Sequence, residues 1–200
     1  MRLAVIGGEG VGKSLLCFSF AKFLSKRGVD AAAANFDPGC RRLQYEVAFD
    51  IRRRYSLRKV MKEQKSNEGH ALLEIYSAAA LDPVIKQETT ANSRIFLDFR
   101  GGAEFVLLEG GAEAIPRLAD SIILVADDRA VPSAASSLRQ LVEKETGLPT
   151  FAALNKADLA RKKAGKLLSR AEDAVDGRTL RISALEGEGF DELARLANLL

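Results

Sequence analysis

A chain of 200 residues, 47% apolar and 28% charged, has the make-up of a globular protein able to bury a sizeable core. Its net charge of +3 is too small to argue for nucleic acid, and its longest apolar runs, such as 122–126, are far too short to span a bilayer. The two cysteines, Cys17 and Cys40, lack CxxC spacing and make neither a disulfide framework nor a zinc site. A strand pattern beginning at Arg2 leaves no room for a secretory leader, so a cytoplasmic location is expected.

In chain order, residues 2–7 read as a buried strand and 14–28 as an amphipathic helix stopped by Gly28. An alanine-rich strand is expected over 29–36. The segments 49–63 and 69–81 both have helical spacing. The run 93–109 is either a helix end followed by a strand or a hairpin turning at Gly101–Gly102. Strands follow at 104–109, 121–127, 150–155 and 179–184, with helices at 132–146, 158–173 and 188–200. This alternation predicts an α/β fold: a doubly wound, mostly parallel sheet in a three-layer αβα sandwich. One domain over 1–200 is expected, with a helical, basic insertion over about 40–92. Basic residues bunch at 41–65, as a solvated helix face or as a patch for a partner protein.

Gly7, four residues, then Gly12-Lys13-Ser14 fits the phosphate-loop pattern, with a strand before it and a helix after. Gly8, Glu9, Gly10, Val11 and Gly12 would turn backbone N–H groups around an anion, and Lys13, Ser14 and Leu15 would open a helix whose N-terminus favours negative charge. Lys13 would reach the β- and γ-phosphates, while the Ser14 hydroxyl would bind Mg²⁺. Asn155-Lys156-Ala157-Asp158 follows a strand in the guanine-reading pattern N-K-x-D. The Asp158 carboxylate can accept from both N1–H and the exocyclic amine of guanine, which adenine does not offer. Asn155 would brace the loop, and the stem of Lys156 would pack over the base. Ser183, Ala184 and Leu185 lie where GTPases carry an S-A-x loop, whose backbone N–H near Ala184 would meet guanine O6. The expected cofactors are therefore GTP and Mg²⁺.

The segment 35–63 resembles GPN-loop GTPases, members of the SIMIBI class, through Asn35, Asp37, Pro38, Tyr45, Glu46, Asp50, Ile51, Arg52, Ser56, Leu57, Val60 and Met61 in order. That resemblance implies that Asp37 acts near Mg²⁺ or the attacking water. It also implies a homodimer, in which a Gly-Pro-Asn loop crosses toward the partner's nucleotide. Here Asn67-Glu68-Gly69 stands in place of that tripeptide, followed by His70, read as a surface residue. The family's D-x-x-G is expected after the strand 104–109, where Glu109 would be an outer-shell metal carboxylate and Glu113 would replace a polarising amide. An acid at that point would either slow hydrolysis or change how water is positioned; no arginine is assignable to the transition-state charge from sequence, so slow turnover is expected. A MinD-, ParA- or CooC-like ATPase is an alternative, although Gly8 stands where that group carries its signature lysine. A non-hydrolysing nucleotide-binding module is another.

Overall fold

The computed structural model describes residues 1–102, 113–127, 132–159 and 177–199. Among these, seven parallel strands form one sheet: β1 (Arg2–Gly7), β2 (Ala31–Phe36), β3 (Phe49–Asp50), β4 (Arg94–Phe99), β5 (Ser121–Asp127), β6 (Thr150–Asn155) and β7 (Thr179–Arg181). Their spatial order is β3-β2-β4-β1-β5-β6-β7. The helices are α1 (Lys13–Ser25), α2 (Leu57–Gln64), α3 (Glu68–Leu81), α4 (Pro83–Thr89), α5 (Ile115–Leu118), α6 (Pro132–Thr146) and α7 (Phe190–Leu196). No helix among the described residues is long and apolar enough to cross a membrane.

The period-two alternation of each strand divides the apolar residues between two cores. Leu3 and Val5 of β1 face one side, where Leu16, Phe20 and Leu24 of α1 meet Phe190 and Leu193 of α7. Ala4 and Ile6 face the other, with Leu57 of α2, Ala71, Ile75 and Tyr76 of α3, Ile85 of α4 and Val142 of α6. The central strands are apolar on both faces because both are covered, as parallel sheets require. On the α1 side Phe20 packs its ring 5.2 Å from Phe96 and 5.0 Å from Phe190.

The run 93–109 resolves in a way not anticipated. Residues 94–99 are a strand hydrogen-bonded on both edges, to β1 and β2, so they are neither a helix end nor half of a hairpin. Ile95, Leu97 and Phe99 point to one core and Phe96 to the other. The strand expected at 104–109 lies outside the described residues, and the edges of β1 are taken by β4 and β5. The helical reading of 49–63 is also corrected. Asp50 pairs through β3 with Asn35, then accepts from Arg52 N at 3.0 Å to start a single 3₁₀ turn, and α2 begins only at Leu57. Elsewhere the elements are shorter than expected: the first helix ends at Ser25, the last strand at Arg181, and α7 spans Phe190–Leu196. Of the helix expected at 158–173, residues 160–173 lie outside the described residues.

Asp82 joins α3 to α4. Its Oδ1 accepts from Val84 N at 2.9 Å, capping α4, while Oδ2 accepts from Arg54 Nη2 at 2.7 Å. Burial pushes the Asp82 carboxyl up, but the Arg54 and Val84 bonds outweigh it and hold the group below the ordinary carboxylate value. Asp82→Ala removes the cap and is expected to cost about 1–2 kcal/mol, a drop in Tm of roughly 2–8 °C at this chain length. A carboxyl lowered by folding stabilises above its unfolded pKa of about 3.9 and stops doing so as pH falls through its folded value. The Tm difference between native and variant should therefore narrow below about pH 4, as thermal melts at stepped pH will show.

Candidate functional site

β1 ends in Gly7 at φ 142°, where a Cβ would stand 2.0 Å from the Val125 carbonyl oxygen of β5. This lets the loop after β1 turn tightly against the neighbouring strand. Gly12, at φ 96°, opens α1, and a Cβ there would collide with the Asn155 amide at 2.4 Å. Lys13 is 7% exposed and folds its ammonium back onto the loop, donating to Gly7 O at 3.0 Å and Gly8 O at 2.7 Å. A cation is thus seated at the mouth of an anion-binding helix N-terminus.

The first turn of α1 meets the end of β4. Asp98 is 5% exposed, stands near the Ser14 hydroxyl, and accepts a hydrogen bond from the Tyr45 hydroxyl at 2.6 Å. Burial raises its carboxyl above the ordinary value and nearby Asp37 adds to this; the Tyr45 bond, the Ser14 hydroxyl and the Lys13 charge act the other way. The same burial, together with Cys17 and Asp98, pushes the Tyr45 phenol far up, so it remains a proton donor.

Asp37 lies just beyond β2. Its backbone N–H donates to Asn35 Oδ1 at 3.1 Å, and its carboxylate accepts from Gly39 N at 2.8 Å and Arg100 Nη1 at 3.3 Å. Arg100 Nε also donates to Glu68 Oε1 at 2.6 Å. Glu68 opens α3, whose N-cap Asn67 accepts from His70 N. His70 is exposed.

Between these elements opens a cleft of about 430 Å³, lined by Glu9, Gly10, Lys13, Ser14, Asp37, Tyr45, Asp98 and Arg100 among others. It sits at the carboxyl ends of β1, β2 and β4, where open parallel sheets build sites. Its size falls in the range of small-molecule pockets.

The N-K-x-D residues are wired to this loop. Asn155, 2% exposed, donates from Nδ2 to Val11 O at 2.9 Å and accepts at Oδ1 from Ala184 N at 2.9 Å. The Ala184 N–H, expected to face a base, is thus directed to Asn155. Ser183 Oγ donates to Asp158 Oδ1 at 2.8 Å, and both residues are buried. Lys156, at φ 74°, reaches Asp127 at 2.9 Å, while Leu185 is 68% exposed. The described lining of the cleft stops at the phosphate-loop end and does not include Asn155, Asp158 or Ser183.

Glu109 lies outside the described residues, and Glu113 is exposed in the turn before α5 and is not among the residues that line the cleft. Sequence reasoning missed Asp98 and Arg100. The signal was present: Asp98-Phe99-Arg100-Gly101 itself reads D-x-x-G, on the strand that pairs with the phosphate-loop strand.

Residues 5–195 match a family model described as a conserved hypothetical ATP binding protein. The chain belongs to that family. Among individual proteins it is similar to the GPN-loop GTPase PAB0955 of Pyrococcus abyssi, 25% identical over 195 residues, covering 91% of this chain and 77% of that one. It is also similar to GPN-loop GTPase 2 of Saccharomyces cerevisiae, 35% identical over 78 residues, which cover 39% of this chain and only 22% of the yeast protein. The apo crystal structure of PAB0955 superposes with a TM-score of 0.73 at 23% identity, over 99% of this chain and 96% of that one. Aquifex aeolicus MinD gives 0.54 at 19% identity, over 98% and 85%. The family member described here therefore has the three-layer fold of phosphate-loop NTPases.

Proposed function

We propose that the chain binds GTP with Mg²⁺ and hydrolyses the β–γ bond slowly, as a nucleotide-controlled switch or assembly factor. One observation carries this reading: the Asn155 amide bonds the phosphate loop with one atom and the Ser183–Ala184 loop with the other, beside a buried Asp158. A carboxylate positioned in register with a phosphate loop suits guanine, whose two donors it can accept. The names of the relatives, GPN-loop GTPases, support the same base; the family description names ATP.

The Ser14 hydroxyl beside the Asp98 carboxylate, with Asp37 across the cleft, is a donor set of hard oxygens that fits Mg²⁺, a metal commonly held through one or two carboxylates and phosphate oxygens. In this reading Asp98 takes the place expected of Glu109. Mg²⁺ would supply charge neutralisation across the β- and γ-phosphates. Lys13 would exchange the carbonyls of Gly7 and Gly8 for phosphate oxygens. Asp37, placed beyond β2, would orient the attacking water.

Tyr45 suggests how the bound state is transmitted. Its hydroxyl ties the stretch 41–48 to Asp98, so that metal and nucleotide compete with it for that carboxylate. Releasing Tyr45 would reposition the basic segment 41–65, where Arg41, Arg53, Arg58, Lys59 and Lys62 are exposed and could meet an acidic partner protein.

Titration of the purified protein with GTP, GDP and ATP, with and without Mg²⁺, tests the reading. GTP is expected to bind at least about 10²-fold more tightly than ATP, since adenine lacks the pair of donors that a buried Asp158 carboxylate would accept from guanine. Equal affinity for the two nucleotides, or no effect of Mg²⁺, would overturn it. Binding without phosphate release would leave a non-hydrolysing module.

A further inference from the structure

We propose that Arg100 supplies, from the same chain, the cation that stabilises the terminal phosphate during transfer. The inference rests on the nucleotide reading above and deepens it.

Arg100 follows β4, the strand beside the phosphate-loop strand, and its backbone is anchored on the loop. A Cβ at Gly101 would come within 2.5 Å of Glu9 Cγ, and Gly102 N donates to Gly7 O at 3.3 Å. The side chain lines the cleft together with Lys13, Ser14, Asp37 and Asp98, and is only 21% exposed.

Its two partners hold it unequally. Glu68 accepts at 2.6 Å, whereas Asp37 is reached only at 3.3 and 3.5 Å. Glu68 acts as the post, and the Asp37 contact is the one readily exchanged. If Asp37 turns to the metal or to water, the Nη edge of the guanidinium loses a carboxylate, and a phosphate offers the same fork-shaped pair of oxygens. Burial works against the guanidinium's charge, yet Glu68 and Asp37 more than restore it, so the group remains a full cation. Arg42 also lines the cleft, but it is exposed on the stretch that leads to Tyr45, without a rigid strand behind it. A donor fixed before reaction contributes more than one that must be ordered during it.

In the transfer step a water oxygen bonds to the γ-phosphorus as the bond from that phosphorus to the β–γ bridging oxygen breaks. The electron pair stays on the GDP oxygen, and the water's proton passes to the released phosphate. Arg100 would bear on the equatorial oxygens, where charge is spread.

The test compares native protein, Arg100→Ala, Arg100→Lys and Arg42→Ala in GDP affinity, formation of the GDP–fluoroaluminate complex, and single-turnover GTP hydrolysis with and without added guanidinium. Arg100→Ala is expected to keep its GDP affinity within about threefold, lose the fluoroaluminate complex, and slow hydrolysis by about 10³-fold, with partial rescue by guanidinium. Arg100→Lys keeps the charge without the fork, and should bind fluoroaluminate at least about tenfold more weakly than native protein even if the alanine variant folds poorly. Arg42→Ala should keep the fluoroaluminate complex that Arg100→Ala loses. Fluoroaluminate binding and turnover unchanged in Arg100→Ala, or lost instead in Arg42→Ala, would overturn the proposal, as would a native protein that binds GDP but no fluoroaluminate. If native protein binds no guanine nucleotide at all, the GDP titration reveals it, and the underlying reading falls too.

Discussion

Asp158→Asn is expected to lower GTP affinity by about 10²–10⁴-fold and to raise affinity for xanthosine triphosphate. The carboxylate is an acceptor only, whereas asparagine presents an NH₂ toward the N1–H and amine of guanine, so donors face donors. Xanthine carries a carbonyl where guanine has its amine, which reverses the preference. The native pair Ser183–Asp158 survives in altered form, because a hydroxyl can donate to the amide oxygen just as it does to Oδ1. Asn155 and its two bonds are untouched, so the phosphate end stays intact. Competition titrations with GTP, XTP and ATP provide the measurement. If the variant loses all three nucleotides equally, Asp158 is a structural residue and the guanine assignment fails.

Asp98→Asn is expected to slow Mg²⁺-dependent GTP hydrolysis by about 10–100-fold and to raise the Mg²⁺ concentration needed for half-maximal rate. The amide oxygen can still accept from Tyr45, but the negative charge that would orient the Ser14 hydroxyl and offset the metal is gone. GDP binding without Mg²⁺ should change little, because Lys13 and the loop amides do not depend on that carboxylate. Kinetics across a Mg²⁺ series would decide it. A native Mg²⁺ dependence in the variant removes Asp98 from the site and returns the role to Glu109.

Where chemistry is written in consecutive residues, the sequence was readable. The phosphate loop needs glycines, a lysine and a serine within eight positions, and β1, β5 and β6 fall within the stretches read as strands because each is an unbroken apolar run between polar ends. β4 was harder. Residues 93–99 hold one strand's worth of alternation, but the more apolar run at 104–109 follows closely and ends in its own acid and glycines, so it drew the D-x-x-G assignment. Only the pairing of β4 with both β1 and β2 shows which acid stands beside Ser14. The same limit hid β3, since two residues cannot display a period, and Asp50 reads as one polar position in a helix until Asn35 is seen to bond it at 2.8 Å. Arg100 pairs with an acid 63 positions away, and Asn155 bonds Val11 across 144, distances over which local pattern carries no signal.

The Asn155 side chain has a consequence for small fragments of the nucleotide. A single planar amide touches Val11 on one side and Ala184 on the other, so neither turn can shift without straining the other. Guanosine and inorganic triphosphate offered separately would each have to set the geometry of both turns unaided, whereas the joined molecule sets it once. Their binding free energies should then sum to less than that of the intact compound, a coupling that vanishes when residue 155 is replaced by alanine.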